Sequence, residues 1–310
     1  MTIIEKIEKD TRPVEDIPGV AFVNGKFVPV SEATVSVFDF GFTRSDVTYD
    51  VAHVWQGSFF RLEAHLDRFF ASMESLRYKI PYSRDEVRAI LMECVKRSGY
   101  RDAYVAMICT RGRPPVGSRD MRLCQNRFIA YSIPFVWLAS PEKREKGLHV
   151  IIGSTLRIPP ASVDPKVKNF HHLDSVRSIW EAYDKGVDTV FLLDYDGNVT
   201  EGPGFNVFAV IGNKVVTPDA GVLEGVTRRT VLELAREQGY EAEERKLSAE
   251  ELSGADEIFI TSTGGGVMPV TRLDGRIYGN DRPGAVTSRL RDGYWARHGQ
   301  GPDATPVEYN

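Results

Sequence analysis

Cysteine is scarce in this sequence, which has only Cys94, Cys109 and Cys124 among its 310 residues. Their number is odd and none belongs to a Cys-x-x-Cys pair, which argues against a disulfide framework and against a cysteine zinc site. The six histidines show no metal-ligand spacing either. We therefore expect a protein of a reducing compartment, the cytoplasm, that has no metal site.

Long apolar runs and an excess of basic charge are also missing. No stretch reaches the ~18 uninterrupted apolar residues that a membrane helix requires, and the opening residues MTIIEKIEKD lack the features of a secretory signal. The 39 Lys and Arg residues against 43 Asp and Glu residues give a net charge of -4, which disfavours binding to nucleic acid or anionic membranes. Because 42% of the residues are hydrophobic, we expect a folded globular chain.

Turn signals and apolar periodicity predict the elements of the first half. Asn24-Gly25 between two apolar runs predicts a hairpin. Ser83 and Glu86 form a capping box at the head of a helix that ends at Gly99. The other predicted elements are a strand pair that turns at Gly57, a helix over 63–78, and strands over 103–110 and 127–137.

The charged run over 140–147 breaks this periodicity and predicts a linker between a small N-terminal domain, 1–139, and a larger C-terminal domain, 148–310. Strands outnumber helices and hairpins join most of them, which predicts an α+β fold with antiparallel or mixed sheets. The predicted elements of the second half are strands over 148–154 and 257–261, helices over 172–185 and 226–238, a short helix capped by Ser248, and strand pairs that turn at Asp196-Gly197 and Gly212-Asn213.

Two turns of the second half can bind phosphate. The run Thr261–Gly266 offers hydroxyls and unhindered amides, and Val226 opens a helix whose free N–H groups favour an anion. A flexible turn and a simple helix cap by Thr227 are the alternatives. The sequence has no GxxxxGK[ST] motif, and Gly202-Pro203-Gly204 precedes a strand rather than a helix, which disfavours NTPase and dinucleotide sites. A phosphate-bearing cofactor fits better.

Lys168 and Glu201 are the candidate groups for chemistry. Lys168 lies in a proline-rich segment after Pro165, and a lysine fixed there can form a Schiff base, although a surface lysine is the ordinary interpretation. Glu201 lies beside Gly202 after a predicted strand pair. An acid at such a place either is solvated or meets a cation such as a protonated ring nitrogen.

Five ordered motifs together resemble the fold-type IV (class IV) pyridoxal-phosphate aminotransferases. The resemblance extends from about Val23 to His298, and its motifs are Phe60–Arg68, Pro165–Asn169, Thr200–Asn206, Gly221–Arg228 and Thr261–Gly266. It implies a two-domain α+β fold like that of D-amino acid aminotransferase, with a small N-terminal α/β domain and a larger mixed-sheet domain. It also implies a homodimer whose active site lies near the subunit and domain interfaces.

The same resemblance implies the roles of the site residues. Lys168 would bind pyridoxal phosphate as a Schiff base and then act as base and acid. Glu201 would keep the pyridine nitrogen protonated, so that the ring accepts electrons. Leu223 would pack on the ring, and the phosphate would bind to Arg68, Val226, Thr227, Ser262 and Thr263. The implied cofactor-binding set is Arg68, Lys168, Glu201, Leu223, Gly225, Val226, Thr227, Ser262 and Thr263.

Within this family, Ser45–Val51, Val54-Trp55 and Val167–Asn169 are most similar to the R-selective amine transaminases. An R-configured amine, or a D-amino acid, would then give its amino group to an α-keto acid such as pyruvate. The implied substrate-binding residues are Phe42, Arg44, Tyr49, Trp55, Arg113, His172 and Gly264.

The sequence departs from the amine-transaminase pattern at two positions. Arg44 stands where that group usually carries histidine, and His172 stands where many members carry tryptophan. Arg44 is either a salt-bridged residue of the rim or a second carboxylate anchor, which would favour D-amino acids. A D-amino acid or branched-chain amino acid aminotransferase, and an aminodeoxychorismate-type lyase, therefore remain alternatives.

Overall fold

The computed structural model describes residues 17–298 and 301–309. Asn24 and Gly25 take positive φ values of 53° and 77°, as a tight hairpin turn requires, and they join strands β1 (Val20–Val23) and β2 (Lys26–Pro29). Gln56 and Gly57 do the same between β3 (Val47–Trp55) and β4 (Ser58–Phe60). Both predicted strand pairs are confirmed.

The first sheet is antiparallel throughout its described strands. Its remaining members are β5 (Ala103–Thr110), β6 (Arg127–Pro134) and the C-terminal β16 (Ala304–Pro306), and its order is β16-β4-β3-β5-β6-β1-β2. Three helices follow strands of this sheet: α1 (Phe40–Arg44), α2 (Leu62–Ser75) and α3 (Arg84–Ser98). The capping box of α3 is confirmed, because Ser83 accepts from the Glu86 amide and Glu86 accepts from the Ser83 amide. Apolar residues of α2 and α3, among them Leu66, Phe69 and Leu91, pack with Phe59 and Met107 of the sheet in one core.

The second sheet is mixed, as predicted. It contains β7 (Leu148–Ile152), β8 (Thr189–Phe191), β9 (Glu201–Gly202), β10 (Phe205–Ile211), β11 (Lys214–Thr217), β12 (Glu241–Glu244), β13 (Glu257–Ser262), β14 (Gly266–Leu273) and β15 (Arg276–Ile277). The order is β12-β11-β10-β13-β14-β7-β8, with β9 beside β10 and β15 beside β14. The pairs β7–β8, β7–β14 and β11–β12 are parallel, and the other pairs are antiparallel.

The charged segment over 140–147 is not irregular. It forms a short helix, α4 (Pro141–Lys146), because Ser140 accepts from the Lys143 amide and Pro141 occupies the first turn. Glu142 and Lys146 pair across one turn of this helix. The segment still connects β6 of the first sheet to β7 of the second.

Four more helices follow strands of the second sheet or connect them: α5 (Leu173–Asp184), α6 (Val226–Glu237), α7 (Ala249–Ser253) and α8 (Ala285–Ala296). Strand β16, which the predicted division places in the second domain, pairs with β4 of the first sheet. Asp303 beside it accepts from the Arg61 amide at 2.7 Å and from Arg61 Nε at 3.0 Å. The division into 1–139 and 148–310 stays a prediction, whereas the α+β class is confirmed. Among residues 17–298 and 301–309, no helix is both long and apolar enough to span a membrane.

Candidate active site

A cavity of about 370 Å³ lies where side chains from both sheets meet. It brings together twelve of the sixteen residues predicted for the site. These are Tyr49, Arg68, Lys168, His172, Glu201, Leu223, Gly225, Val226, Thr227, Ser262, Thr263 and Gly264. The sequence motifs that are far apart in the chain therefore share one cavity.

Strand β3 of the first sheet fixes the backbone of Lys168. The carbonyl of Lys168 accepts from Thr48 Oγ1 at 2.7 Å and from the Tyr49 amide at 3.2 Å. Its Nζ lies 4.4 Å from the centre of the Tyr49 ring. Within the described part of the chain this ammonium forms no ion pair. The backbone of Lys168 is therefore held in place, while its side-chain nitrogen is left without an ion pair to a described residue.

The Glu201 carboxylate lies on β9, and its oxygens are all engaged. One oxygen accepts from the Leu223 amide at 2.9 Å, and the other accepts from Arg157 Nη2 at 3.0 Å. Arg157 in turn donates to Asp174 Oδ2 at 2.5 Å. Burial raises the pKa of Glu201 although Arg157 opposes the shift. The carboxylate is therefore held rigidly, and its environment favours a cation beside it.

Sequence reasoning missed Arg157 and Asp174. Arg157 pairs with both Glu201 and Asp174. These residues come from three segments that are far apart in the chain, so no local spacing in the sequence predicts the contacts. Gly202 beside Glu201 is required for space, since a Cβ there would lie 2.6 Å from the Val190 carbonyl oxygen. The close approach of β9 to its neighbours thus depends on glycine at this position.

Arg68 projects from α2 toward a fully buried carboxylate on β3. Asp50 accepts from Arg68 Nε at 2.7 Å and Nη2 at 2.8 Å, and from His65 Nδ1 at 2.8 Å. Burial by itself would raise the pKa of Asp50, but Arg68 and His65 outweigh it and hold that pKa well below its ordinary range. His65 and Arg68 are three positions apart on one helix face, a spacing that identifies them as neighbours. Neither Asp50 nor His65 is among the residues predicted for the site.

The N-terminus of α6 opens into the cavity. Its N-cap, Gly225, supplies no side-chain acceptor, and Thr227 does not cap the helix because its Oγ1 lies 3.3 Å from the Tyr294 hydroxyl. A Cβ on Gly225 would lie 2.3 Å from Asn206 Oδ1, so glycine is needed here too. The free amides of this first turn favour an anion.

Two further groups near this helix end are suited to an anion. The Thr261 hydroxyl is buried and has no hydrogen-bond partner among the described residues. Arg68 Nη1 donates to the Glu224 carbonyl at 3.1 Å, which holds the guanidinium beside the start of α6. The Ser262 hydroxyl, by contrast, accepts from the Gly264 amide at 3.3 Å. A phosphate would satisfy the orphaned hydroxyl and the free amides together.

The opposite side of the cavity is mainly aromatic and aliphatic, with Tyr49, Val51, Tyr104, Val136 and Trp137. The Tyr49 hydroxyl lies 3.4 Å from His172 Nε2. Burial, together with the charges of Lys168 and Arg157, lowers the pKa of His172 to about 4, so its ring is neutral near pH 7. In the part of the chain that the structure describes, the guanidiniums lining this cavity are those of Arg68 and Arg157, and both are paired with carboxylates.

The other four predicted residues do not line this cavity. Phe42 and Arg113 are exposed, and Arg44 is exposed with its guanidinium 3.7 Å from the Phe40 ring centre. Trp55 packs against Phe135, Trp137 and Trp295. Their roles in substrate binding stay predictions. The described residues contain no cluster of three or more potential metal ligands.

The model of one protein family, described as amino-transferase class IV, matches residues 48–273. The match contains all the cavity residues described above. The chain belongs to the class IV aminotransferases. It is therefore an enzyme that uses pyridoxal phosphate, as the sequence predicted, and the amine of Lys168, the buried carboxylate of Glu201 and the anion site at α6 fit that cofactor.

The names of similar proteins are consistent with this family. A putative branched-chain-amino-acid aminotransferase of Methanocaldococcus jannaschii is 35% identical over 87% of this chain and 93% of its own length. A D-alanine aminotransferase of Bacillus licheniformis is 30% identical over 86% of this chain and 93% of its own length. The solved structure of the branched-chain amino acid aminotransferase from Thermobaculum terrenum in its PLP form has a TM-score of 0.84 and 29% identity, and the match covers 95% of this class IV aminotransferase and 100% of that chain. The preference for R-configured amines is not confirmed by these names.

Proposed function

We propose that this class IV aminotransferase moves the amino group of a hydrophobic amino acid, of the branched-chain type, to an α-keto acid. The observation that carries the proposal is the cavity in which an uncommitted Lys168 amine, the buried Glu201 carboxylate and the uncapped start of α6 face an aromatic and aliphatic wall. The names of the relatives favour amino acids with aliphatic side chains as donors. The apolar wall suits such a side chain.

The residues proposed to hold the cofactor follow from their chemistry. The first amides of α6, Arg68 and the Thr261 hydroxyl would hold the phosphate. Glu201 would pair with the ring nitrogen, and Leu223 would pack on the ring. When bound, pyridoxal phosphate supplies an electron sink that makes the donor's Cα proton acidic.

Lys168 Nζ is proposed to bind the cofactor and to take and return the proton at the donor's Cα. The two hydrogen bonds to its carbonyl hold the Lys168 backbone against β3, so that the side chain moves from a fixed point. Arg157 and Asp174 hold Glu201 in place, which lets that carboxylate keep a positive charge beside it. The neutral His172 ring can accept from the Tyr49 hydroxyl and orient it over the lysine.

A second candidate donor is an R-configured amine without a carboxylate, as the sequence motifs predict. The specific observation in its favour is that both guanidiniums lining the described cavity are already paired, which leaves no obvious anchor for a donor carboxylate. An α-keto acid acceptor would then use an arginine from outside the cavity wall, such as Arg113 in the loop after β5.

The experiment that separates these donors is a half-reaction without any acceptor. The cofactor-loaded protein is scanned in visible light before and after adding L-leucine, D-alanine, (R)-1-phenylethylamine or its S enantiomer. Conversion of the pyridoxal phosphate absorbance to that of pyridoxamine phosphate with L-leucine alone supports the branched-chain proposal. Conversion with the R amine favours the second candidate, and no conversion with any donor contradicts both.

We also propose a homodimer, supported by an unpartnered apolar stripe on α5. Leu173, Val176, Trp180 and Tyr183 follow one face at helical spacing and are 82%, 46%, 63% and 55% exposed. Sedimentation equilibrium tests this, since a monomer at micromolar concentration would contradict it. A cytoplasmic location is part of the same proposal and is supported by the three free cysteines.

A further inference from the structure

A second cavity, of about 280 Å³, lies behind the wall of the first. Trp137 lines both cavities, while Gly264 lines the first and its neighbour Gly265 lines the second. The Leu138 amide donates to the Gly264 carbonyl at 2.8 Å, which ties the segment after β6 to the turn between β13 and β14. Trp137 and the turn at Gly264-Gly265 therefore contribute to the walls of both cavities.

Arg144 of α4 lines the second cavity, where it stacks on Trp137 but forms no ion pair with a described residue. Its guanidinium carbon lies 3.4 Å from the centre of the Trp137 ring, and its Nε is buried without a hydrogen-bond partner in the described structure. Burial lowers the pKa of Arg144. A buried donor without an acceptor costs free energy, which an anionic ligand would recover.

The other arginines make the contrast clear. Each of the other described arginines that is not exposed donates to, or pairs with, a side-chain oxygen of an acid or amide. These are Arg61, Arg68, Arg84, Arg111, Arg127, Arg157, Arg228, Arg245, Arg272, Arg291 and Arg297. Arg144 is the exception among the residues that the structure describes.

The rest of the cavity wall defines the ligand chemistry. Arg291 of α8 adds a second guanidinium. Its Nε lies 3.4 Å from Asp292 Oδ1, and the Asp292 side chain is 74% exposed. Glu145 also lines the cavity, and two guanidiniums against this one carboxylate leave the lining with a net positive charge. Trp295, Val267 and Pro141 complete it with apolar surface. Two guanidiniums beside an indole suit a carboxylate that carries an apolar or aromatic group.

We propose that this second cavity binds a small organic acid at a site distinct from Lys168. The carboxylate pairs with Arg144 and Arg291, and the apolar part packs on Trp295. Because Trp137 and the turn at Gly264-Gly265 contribute to both cavities, an acid bound in the second restrains Trp137 and Gly264 in the wall of the first. The inference goes beyond the proposed function, and its test requires no turnover.

The test is isothermal titration of the cofactor-loaded protein with sodium benzoate and, separately, with inorganic phosphate. The variants are Arg144→Gln and Arg291→Gln, and the matched control is Arg289→Gln, an exposed arginine of the same helix α8. We expect benzoate affinity to fall at least about tenfold in both cavity variants, as the loss of a charged hydrogen-bonding partner implies, and to stay unchanged in the control.

Equal benzoate affinity in all four proteins would overturn the proposal, because that binding would belong to the first cavity or to the surface. Phosphate binding as tight as benzoate would overturn the assignment to an organic acid, because it would indicate a site for any anion. The cofactor absorbance and the thermal unfolding midpoint report whether each variant is folded. If Arg144→Gln does not fold, Arg291→Gln decides the outcome alone.

Discussion

The two sides of the first cavity differ in how firmly their polar groups are held. On the side of Glu201 and Arg68, every charged group except Lys168 is paired with a buried or half-buried partner at 2.5 to 3.2 Å. On the side of Tyr49 and His172, the hydrogen bond between these two side chains is 3.4 Å long. Under the proposed function, the chemistry would depend on this fixed network, and the choice of substrate would depend on the less constrained wall.

The largest effect is expected from removing the amine of Lys168, which forms no ion pair with a described residue. Lys168→Ala should lower the rate of the half-reaction roughly 100- to 10,000-fold, the range expected for loss of a general acid–base group. The rate is measured from the cofactor absorbance in single-turnover experiments. Lys166→Ala is the control, because Lys166 is exposed and pairs with Glu224. Near-normal transfer by Lys168→Ala would show that the catalytic group has been wrongly assigned.

The next largest effect is expected at Glu201. Glu201→Gln removes the charge beside the ring nitrogen, and we expect the chemical step to slow about 100- to 1,000-fold, as for other groups that stabilise charge in the transition state. Cofactor affinity, measured by equilibrium dialysis, should fall much less. Glu224→Gln serves as the exposed control. Equal losses in rate and in affinity would make Glu201 a structural acid and would remove the distinction between the two sides.

The buried pair Asp50–Arg68 tests how much this fixed network contributes to the free energy of unfolding. Asp50→Asn should lower the free energy of unfolding by about 3 kcal/mol at pH 7, because it leaves Arg68 without its charge partner. The folded-state pKa of Asp50 is depressed, so its contribution is fully present above the unfolded value of about 3.9. The difference between wild type and variant should therefore be constant from pH 7 to pH 5 and shrink below about pH 4.

Urea unfolding at each pH measures this difference. Asp67→Asn is the control, since Asp67 lies beside Arg68 on α2 but its side chain is 71% exposed in its pair with Arg84. A destabilisation by Asp50→Asn that grew as the pH fell from 5 to 3 would contradict the assignment of a depressed pKa to this carboxylate.

The smallest effect is expected on the open side. Arg44 lies outside the described cavity and contacts the Phe40 ring, so Arg44→Ala should change kcat/KM for the amino acid donor by less than about threefold. The measurement is a steady-state assay with L-leucine and with D-alanine. A loss greater than tenfold for either amino acid would establish Arg44 as a carboxylate anchor and extend the substrate wall to α1.

Local signals explain what the sequence could predict. Asn24-Gly25, the Ser83–Glu86 capping box and the proline-rich segment at Lys168 each act over a few residues, and each lies where the sequence placed it. The missed features depend on distant partners. Helix α8 begins at Gly284 without a local cap, because Glu257 of β13 accepts from the amides of Val286 and Thr287. No pattern within the helix itself predicts where it begins.

The same reason separates the predicted site residues from those that were missed. Lys168 and Glu201 lie in two of the five family motifs, which imply their roles, whereas Arg157 and Asp50 gain their roles only when sheets and helices bring them to partners 44 and 18 positions away. Strand β14 was missed for a different reason. It is buried along nearly its whole length and contains Pro269, so it shows neither alternation nor a continuous strand pattern.

Strand β16 also bears on the order in which the molecule is made. Residues 304–306 close the outer edge of β4, and β4 leads directly into the helix that carries Arg68. A ribosome releases these residues only after every strand of the second sheet, so the first sheet cannot be completed early in synthesis although most of its strands emerge first. Until then the edge of β4 is open to pairing with another nascent chain, and pairing with residues 304–306 ends that hazard.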